Sequence, residues 1–174
     1  SMAIPDTYKE PNFIVLSKYG NIEIRQYDKY VIAKTSTPKK NSSLDNKMFS
    51  VLAGYIFGGN NQGKSIPMTT PVITKESASS YDMIFFMLDS NTPNDLPRPN
   101  NSKINLETFS MGKIISIRFG MWATEERVIK YKTILDQFIK DKNITISSNL
   151  MIAQYNSPWI MPPFRRNELM YQID

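Results

Sequence analysis

The stretch LDNKMFSVLAGYIFGGNNQGKSIPMTTPVI, residues 44–73, constrains the fold most strongly, because it changes from a helical pattern to an extended one across a glycine-rich turn. Before the turn, apolar side chains recur at spacings of three and four, at Phe49, Leu52, Tyr55 and Ile56. This spacing predicts an amphipathic helix over residues 44–57 that ends at the Gly58-Gly59 pair. Two prolines and a β-branched bias follow the turn, so no helix can begin there and a strand is expected near residues 66–76.

Residues 58–65 also match the phosphate-loop pattern, in which two glycines separated by four residues are followed by Lys64 and Ser65. A phosphate loop requires a buried strand before it and a helix after it, with the helix N-terminus aimed at the phosphates. Here the helix precedes the loop and the strand follows it. The flanks therefore disfavour nucleotide binding at residues 58–65.

The chain of 174 residues contains neither histidine nor cysteine. This composition excludes a Ser-His-Asp triad, a cysteine nucleophile, a disulfide, a thiolate or imidazole zinc site and a histidine ligand to haem iron. No compact carboxylate pair in an apolar setting suggests acid–base chemistry. Glu168, after Arg165-Arg166-Asn167, is the best candidate for a buried carboxylate, and we interpret it as half of an ion pair that fixes the last strand. We therefore expect no catalytic activity and no metal site.

The net charge of +5, from 21 basic and 16 acidic residues, is dispersed along the chain. The longest basic runs are the pairs Lys39-Lys40 and Arg165-Arg166, which indicates a solvated basic surface and not a nucleic-acid interface. Small anionic ligands are compatible with such a surface. No apolar run approaches the roughly 18 residues of a membrane span. We expect a soluble protein, with the cytoplasm favoured although the sequence does not fix the compartment.

Hydrophobic periodicity divides the chain into short strands and two helices. Strands are predicted at 13–19, 22–27, 30–35, 66–76, 81–89, 104–110, 113–119, 149–155 and 167–173, and helices at 44–57 and from Thr124 to about Asn143. The strands at 104–110 and 113–119 are predicted to form a hairpin around Met111-Gly112. Both halves of the chain then share the order strand, strand, helix, strand, strand. This order predicts an α+β barrel of antiparallel strands, with a helix on an outer face of each half.

Two motifs of this chain resemble those of the SOUL haem-binding family. The central motif is Phe49-x-x-Leu52-x-x-Tyr55-Ile56-Phe57-Gly58, then Asn60, then Gly63-Lys64-x-Ile66-x-Met68-Thr69-x-Pro71-Val72. The C-terminal motif is Ala153-x-Tyr155-Asn156-x-Pro158-Trp159-x-x-Pro162-Pro163-Phe164-Arg165-Arg166-Asn167-Glu168. Shorter similarities lie at Ile22-Glu23-Ile24-Arg25-Gln26-Tyr27 and at Pro97-Arg98-Pro99. The matches follow the family's order and spacing and cover nearly the whole chain.

The resemblance implies one SOUL-like domain over residues 1–174, a distorted antiparallel β-barrel with two flanking α-helices. It also implies non-catalytic binding of haem or a related tetrapyrrole on a hydrophobic surface near the first helix and the C-terminal Pro-Trp-Pro segment. In this chain that surface would draw on Met48, Phe49, Leu52, Tyr55, Ile56, Trp159, Met161 and Phe164. Lys47, Arg165 or Arg166 would meet the two propionates. A helical stripe at this spacing is core packing in most proteins, so both interpretations stay open for the helix.

Gln26 departs from one branch of the family, in which an axial histidine directly precedes the tyrosine of the Glu-Ile-Arg-x-Tyr strand. Ligation by histidine is therefore excluded in this chain. A methionine thioether or a tyrosine phenolate is an alternative ligand type, and the candidates by position are Tyr27, Tyr55, Met48 and Met161. The macrocycle could also be held on the apolar surface without strong iron coordination.

A second hypothesis comes from fold analogy alone. The same barrel could hold a small effector or present a surface to a protein partner without any haem. The sequence does not identify such a partner.

Overall fold

The computed structural model describes residues 8–39, 46–157 and 160–174. Within these ranges the chain has nine strands: β1 Phe13–Tyr19, β2 Ile22–Tyr27, β3 Lys29–Pro38, β4 Val72–Glu76, β5 Ser80–Phe86, β6 Asn105–Ser110, β7 Lys113–Phe119, β8 Met151–Gln154 and β9 Asn167–Gln172. Two α-helices, α1 Asn46–Ile56 and α2 Glu125–Asp141, complete the regular structure together with short 3₁₀ turns at Pro93–Asp95 and Pro162–Phe164. Neither α-helix in the described ranges is long and apolar enough to cross a membrane.

The described residues form two compact units, the first within Ser1–Pro11 and Lys29–Ser110 and the second within Asn12–Asp28 and Met111–Asp174. In the first unit the strand order is β4-β5-β3-β6, and in the second it is β1-β2-β7-β9-β8. Neighbouring strands within each unit are antiparallel. Helix α1 contacts β3 and β5, and α2 contacts β7 and β9. The predicted α+β class with antiparallel strands and two helices is confirmed, whereas the prediction of one domain over residues 1–174 stays a prediction.

The two units repeat one strand arrangement. In the first, β3 lies between β5 and β6 and β4 pairs with β5; in the second, β7 lies between β9 and β2 and β8 pairs with β9. The predicted order of strand, strand, helix, strand, strand is therefore confirmed for β2–β5 and for β6–β9. Strand β2 begins the first repeat but lies in the second unit, and β6 begins the second repeat but lies in the first unit.

The predicted hairpin between β6 and β7 is wrong. β6 pairs with β3 in the first unit, and β7 pairs with β2 and β9 in the second. Ile114, Ile115 and Ile117 in β7 are all fully buried, as expected for a central strand covered on both faces. The short link at Met111-Gly112 is a crossing between units, which sequence spacing alone does not distinguish from a hairpin turn.

The apolar face of α1 forms the core of the first unit. Its inward side chains pack with residues of β3 and β5, and the set includes Met48, Leu52, Tyr55, Ile56, Val31, Ala33, Met83 and Phe85. The Tyr55 hydroxyl donates a hydrogen bond of 2.7 Å to the carbonyl oxygen of Pro97. Met48, Leu52, Tyr55 and Ile56 are therefore packed in the core, which is the usual role of apolar residues at helical spacing.

Buried Asn60 organises the loop at residues 58–65. Its side-chain amide donates to the carbonyl oxygens of Tyr55 (3.2 Å) and Lys64 (2.8 Å). Its side-chain oxygen accepts from the backbone N–H groups of Gln62 (3.2 Å) and Lys64 (3.0 Å). Two amides that a phosphate loop would direct at a nucleotide are thus bound internally, and α1 precedes the loop as its flanks predict.

The second unit is centred on β7 and β9 under α2. Its core includes Ile22, Ile115, Ile117, Phe119, Leu135, Ile139, Leu169 and Tyr171. The predicted N-cap of α2 is confirmed, because the Thr124 side chain accepts a hydrogen bond from the backbone N–H of Arg127. Phe119 and Tyr131 stack with ring centroids 4.6 Å apart, which fixes the start of α2 against the end of β7.

Truncation of the α1 core side chain Leu52, which has 0% exposure, should destabilise the protein. Leu52→Ala leaves a cavity, and we expect it to lower the free energy of unfolding by about 2–5 kcal/mol. Phe57→Ala is the control, because Phe57 is 73% exposed and its loss should change stability by less than about 0.5 kcal/mol. Urea unfolding followed by circular dichroism measures both. Equal unfolding midpoints for the two variants would contradict the placement of the helix stripe in the core.

Candidate functional site

A buried carboxylate, Glu168, stands at the start of β9 with 0% exposure. Arg25 donates two hydrogen bonds to it, of 2.6 and 3.1 Å, and Arg166 Nε donates a third of 3.1 Å. The hydroxyls of Ser116 (3.1 Å) and Tyr155 (3.0 Å) donate to the same carboxylate oxygen. The predicted ion pair that fixes the last strand is confirmed, and it joins β2, β7 and β9 with the residue that follows β8.

The electrostatics of this cluster keep its groups in one protonation state near neutral pH. Burial alone would raise the pKa of Glu168, but the hydrogen bonds and charge of Arg25, the charge of Arg166 and the hydrogen bond from Tyr155 together outweigh burial and lower it. Burial lowers the pKa of Arg25, but the hydrogen bond and negative charge of Glu168 outweigh burial, so the Arg25 pKa is raised. Burial raises the pKa of Tyr27 to about 12 and that of Tyr155 well above its usual value. A cluster with these values is suited to holding strands together and not to proton transfer at neutral pH.

The neighbours of Glu168 hold two loops of the second unit together. Asn167 Nδ2 donates 2.8 Å to the carbonyl oxygen of Met121, and the N–H of Met121 donates 2.8 Å to the carbonyl oxygen of Pro162. Buried Arg165 donates to the carbonyl oxygens of Ser157 (2.9 Å) and Ile160 (3.2 Å). The loop between β7 and α2 is therefore fixed against the segment that leads into β9.

These contacts present an exposed apolar surface. It consists of Met121, Trp122, Met161 and Phe164, which are 39%, 44%, 65% and 78% exposed, and it is called the Trp122 surface below. The guanidinium of Arg165 lies 4.0 Å from the centroid of the Trp122 ring, a cation–π contact that supports the ring from one side. The two segments that carry these side chains are joined by the hydrogen bond from the N–H of Met121 to the carbonyl oxygen of Pro162, and an exposed apolar patch is a common feature of binding surfaces.

Met121 has an unusual backbone conformation within this surface. Its φ angle is +65°, a left-handed conformation that costs a non-glycine residue of order 1–3 kcal/mol. The hydrogen bonds to Pro162 and from Asn167 hold it there. Met121 is 39% exposed, so its neighbours cover more than half of the residue.

The sequence profile of the family described as SOUL heme-binding protein matches residues 8–172, nearly the whole chain. The chain belongs to the SOUL haem-binding family. No curated protein matches the sequence.

Solved structures show the same fold at very low sequence identity. A hydrolase from Listeria innocua is 9% identical with a TM-score of 0.59, over 91% of this chain and 94% of that one. The EcmrR C-terminal domain is 7% identical with a TM-score of 0.66, over 88% of this chain and 96% of that domain. At such identities the likeness of this SOUL protein to them concerns the fold alone.

The predicted site residues of this SOUL protein fall into the two different units. Met48, Leu52, Tyr55 and Ile56, in the first unit, are 3%, 0%, 1% and 1% exposed. Phe49 is 43% exposed and packs edge-on against Phe85 with ring centroids 5.4 Å apart, and Lys47 is exposed. Contact between these helix residues and a ligand stays a prediction.

The remaining predicted residues belong to the second unit. Met161 and Phe164 are exposed in the Trp122 surface, and Arg165 lies under the Trp122 ring. Arg166 is engaged with Glu168, and its guanidinium lies 3.7 Å from the centroid of the Tyr155 ring. Trp159 lies outside the described residues.

Two residues of the Trp122 surface, Met121 and Trp122 themselves, were not predicted from the sequence. A signal was present: an apolar Met-Trp pair follows Gly120 in the short loop before the N-cap Thr124, where polar turn residues are usual. Their proximity to the segment before β9 depends on the pairing of β7 with β9, which the predicted hairpin concealed.

Loss of the Glu168 charge should destabilise the protein and change its response to acid. Glu168→Gln keeps the volume but leaves the Arg25 and Arg166 guanidiniums in a buried site without their carboxylate, so we expect a loss of about 3–5 kcal/mol in the free energy of unfolding at neutral pH. Asp89→Asn is the control, because Asp89 pairs with Lys9 at an exposed site and such pairs contribute little. Chemical denaturation measures both variants.

The sign of the pH effect follows from the lowered pKa of Glu168. Its stabilisation is fully present above the unfolded-state pKa of about 4.3, and it is lost as the pH falls through the lower folded-state pKa. Wild-type stability should therefore fall in acid more steeply than that of Glu168→Gln. Identical acid profiles for the two proteins would contradict the ion pair.

Proposed function

We propose that this SOUL protein binds haem or a related tetrapyrrole on the Trp122 surface, without histidine ligation and without catalysis. The observation that carries the proposal is the Trp122 ring, which rests on the Arg165 guanidinium at 4.0 Å and is 44% exposed. The exposed side chains of Met121, Met161 and Phe164 accompany it. Membership of a haem-binding family supports the ligand class.

The residues of this surface fit a flat, apolar macrocycle. An indole ring stacks favourably on a planar π-system, and the guanidinium on Trp122 keeps the ring in place before a ligand arrives. Methionine side chains adapt to irregular ligand shapes through flexible, polarisable thioethers. Covering the exposed parts of these side chains removes apolar area from water, at about 25 cal/mol for each Å².

Arg127 provides a cation for a propionate at the edge of this surface. One of its terminal N–H groups donates 3.0 Å to the carbonyl oxygen of Trp122, and a guanidinium has five donors in all. Arg165 and Arg166, which the sequence pointed to for this role, direct hydrogen bonds to backbone carbonyl oxygens and to Glu168 respectively. Arg127 is therefore the better candidate for contact with a carboxylate.

Absence of catalysis is proposed from the chemistry of the chain. It has neither imidazole nor thiol, and its most buried carboxylate, Glu168, has a lowered pKa in a cluster of five hydrogen bonds. General acid–base catalysis works best with a pKa near the operating pH. The pKa values of the buried tyrosines Tyr27 and Tyr155 are raised, so neither forms the phenolate that a general base requires.

Haemin titration with absorbance detection tests the proposal. Wild-type protein should give a saturable Soret change, and Trp122→Asp should weaken binding by about tenfold or more, because a charge replaces the stacking ring. Phe49→Asp tests the helix instead, and Phe57→Asp is the control, since Phe57 is 73% exposed in the first unit.

Weaker binding in Phe49→Asp but not in Trp122→Asp would move the site to α1 and overturn the proposed location. No Soret change at micromolar wild-type protein would overturn haem binding. The hypothesis of a haem-independent effector-binding or interaction module would then be preferred.

A further inference from the structure

We propose that the free edge of β1 in this SOUL protein binds an extended peptide segment in which acidic and apolar residues alternate. The peptide adds a strand to the sheet of the second unit. This inference does not depend on the proposed tetrapyrrole binding, because it uses different residues.

Strand β1 lies at the edge of its sheet. Among the described residues it pairs with β2 alone. An edge strand presents unpaired N–H and C=O groups that can pair with another extended chain. Proteins commonly protect such edges with proline, with charged side chains or with a very short strand. In contrast, β1 is seven residues long, and its first five residues, FIVLS, contain neither proline nor charge.

The side chains of this edge are apolar and exposed on both faces of the strand. Ile14, Val15 and Leu16 are 68%, 45% and 49% exposed, and Tyr19 is 44% exposed. Successive side chains of a strand point to opposite faces, so the exposure of consecutive residues means that neither face of β1 is fully covered here. A strand added along β1 would therefore cover apolar side chains and pair backbone groups at the same time.

A groove lies beside the irregular part of β1. The register with β2 shifts between Val15 and Ser17, and both Leu16 and Ser17 line a groove of about 390 Å³. The apolar lining of the groove also includes Ile24, Ile144 and Ile173. Strand addition combines backbone pairing, which gives affinity, with pockets for alternate side chains, which give specificity. The groove is suited to take an apolar side chain of the added strand.

The charges around β1 favour an acidic partner. Lys18 lies in β1 with its side chain 68% exposed, and the exposed Lys113 lines the groove. The ammonium of the exposed Lys142 lies 5.3 Å from the centroid of the Tyr19 ring. The groove lining includes one carboxylate side chain, that of Asp174. Because lysines outnumber carboxylates here, complementary charge selects glutamate or aspartate in the added strand.

A second copy of this chain is a poorer occupant of the edge. Antiparallel pairing of β1 with its own copy would be two-fold symmetric, so it would bring together two surfaces with the same excess of positive charge. Glu23 offers little compensation, because its side chain is 19% exposed and lies 2.8 Å from the buried guanidinium of Arg25. Like charges that face each other across an interface oppose association.

The test uses fluorescein-labelled heptapeptides of alternating glutamate and valine, with fluorescence anisotropy at about 0.15 M salt. Wild-type protein should bind this peptide saturably, with a dissociation constant below about 1 mM. A peptide with lysine in place of glutamate reverses the charge, and a peptide with methylated backbone nitrogens loses the N–H donors. Each should bind at least about tenfold more weakly.

Variants of the protein locate the binding edge. Ile14→Asp places a carboxylate on the exposed edge and should weaken binding of the glutamate–valine peptide by about tenfold or more. The matched control is Ile129→Asp, because Ile129 is a 57% exposed isoleucine of α2 in the same unit, and it should change binding by less than about twofold. Lys113→Gln should weaken binding by about threefold, and Lys103→Gln, at an exposed position of the first unit, should not. Circular dichroism checks that all variants are folded.

Four outcomes would overturn the inference. The first is no saturable binding of the glutamate–valine peptide, and the second is equal binding of the lysine or methylated peptide. The third is an equal effect of Ile14→Asp and Ile129→Asp, which would place the peptide elsewhere. The fourth is a wild-type dimer in sedimentation velocity that Ile14→Asp converts to a monomer, which would assign the edge to a second copy of the chain.

Discussion

The buried ion pair of Glu168 with Arg25 and Arg166 is the interaction on which the second unit depends. Five hydrogen bonds converge on this fully buried carboxylate, and burial of a charge is tolerated only when it is paired in this way. The pairing fixes the start of β9. Two residues near Glu168 in the sequence, Arg165 and Asn167, in turn fix the loop between β7 and α2. Asn167 holds the loop that contains Met121, and Arg165 supports the Trp122 ring. Four consecutive residues thus connect the buried ion pair to an exposed apolar surface.

If the proposed function is correct, the residues that stabilise the second unit differ from those that bind the ligand. The charged groups that belong to the ion-pair cluster are buried under the strands and keep one protonation state near neutral pH. The exposed surface offers an indole ring, a phenyl ring and two thioethers, groups that bind by contact and not by proton transfer. The proposed binding of a flat ligand uses these groups alone.

Much of the fold was predictable from the sequence because periodicity reports which face of an element is buried. The α1 stripe, the N-cap Thr124 and the ion-paired Glu168 all follow from local pattern. Strand pairing did not follow, because a two-residue link at Met111-Gly112 is compatible with a hairpin and with a crossing between units. For the same reason, the position of Met121 and Trp122 could not be predicted. The loop that carries them lies beside Pro162 because β7 pairs with β9. Periodicity identified the apolar side of α1 but did not distinguish core from ligand contact.

Nuclear magnetic resonance of methyl-labelled methionines tests the location of the ligand most directly. Iron-free protoporphyrin IX is diamagnetic, and its ring current shifts nearby methyl resonances strongly and distant ones little. If the tetrapyrrole lies on the Trp122 surface, the largest upfield shifts should occur at Met121 and Met161, which are exposed, and the buried Met48 and Met87 of the first unit should be unchanged. Shifts concentrated at Met48, with Met121 and Met161 unaffected, would contradict the proposed site.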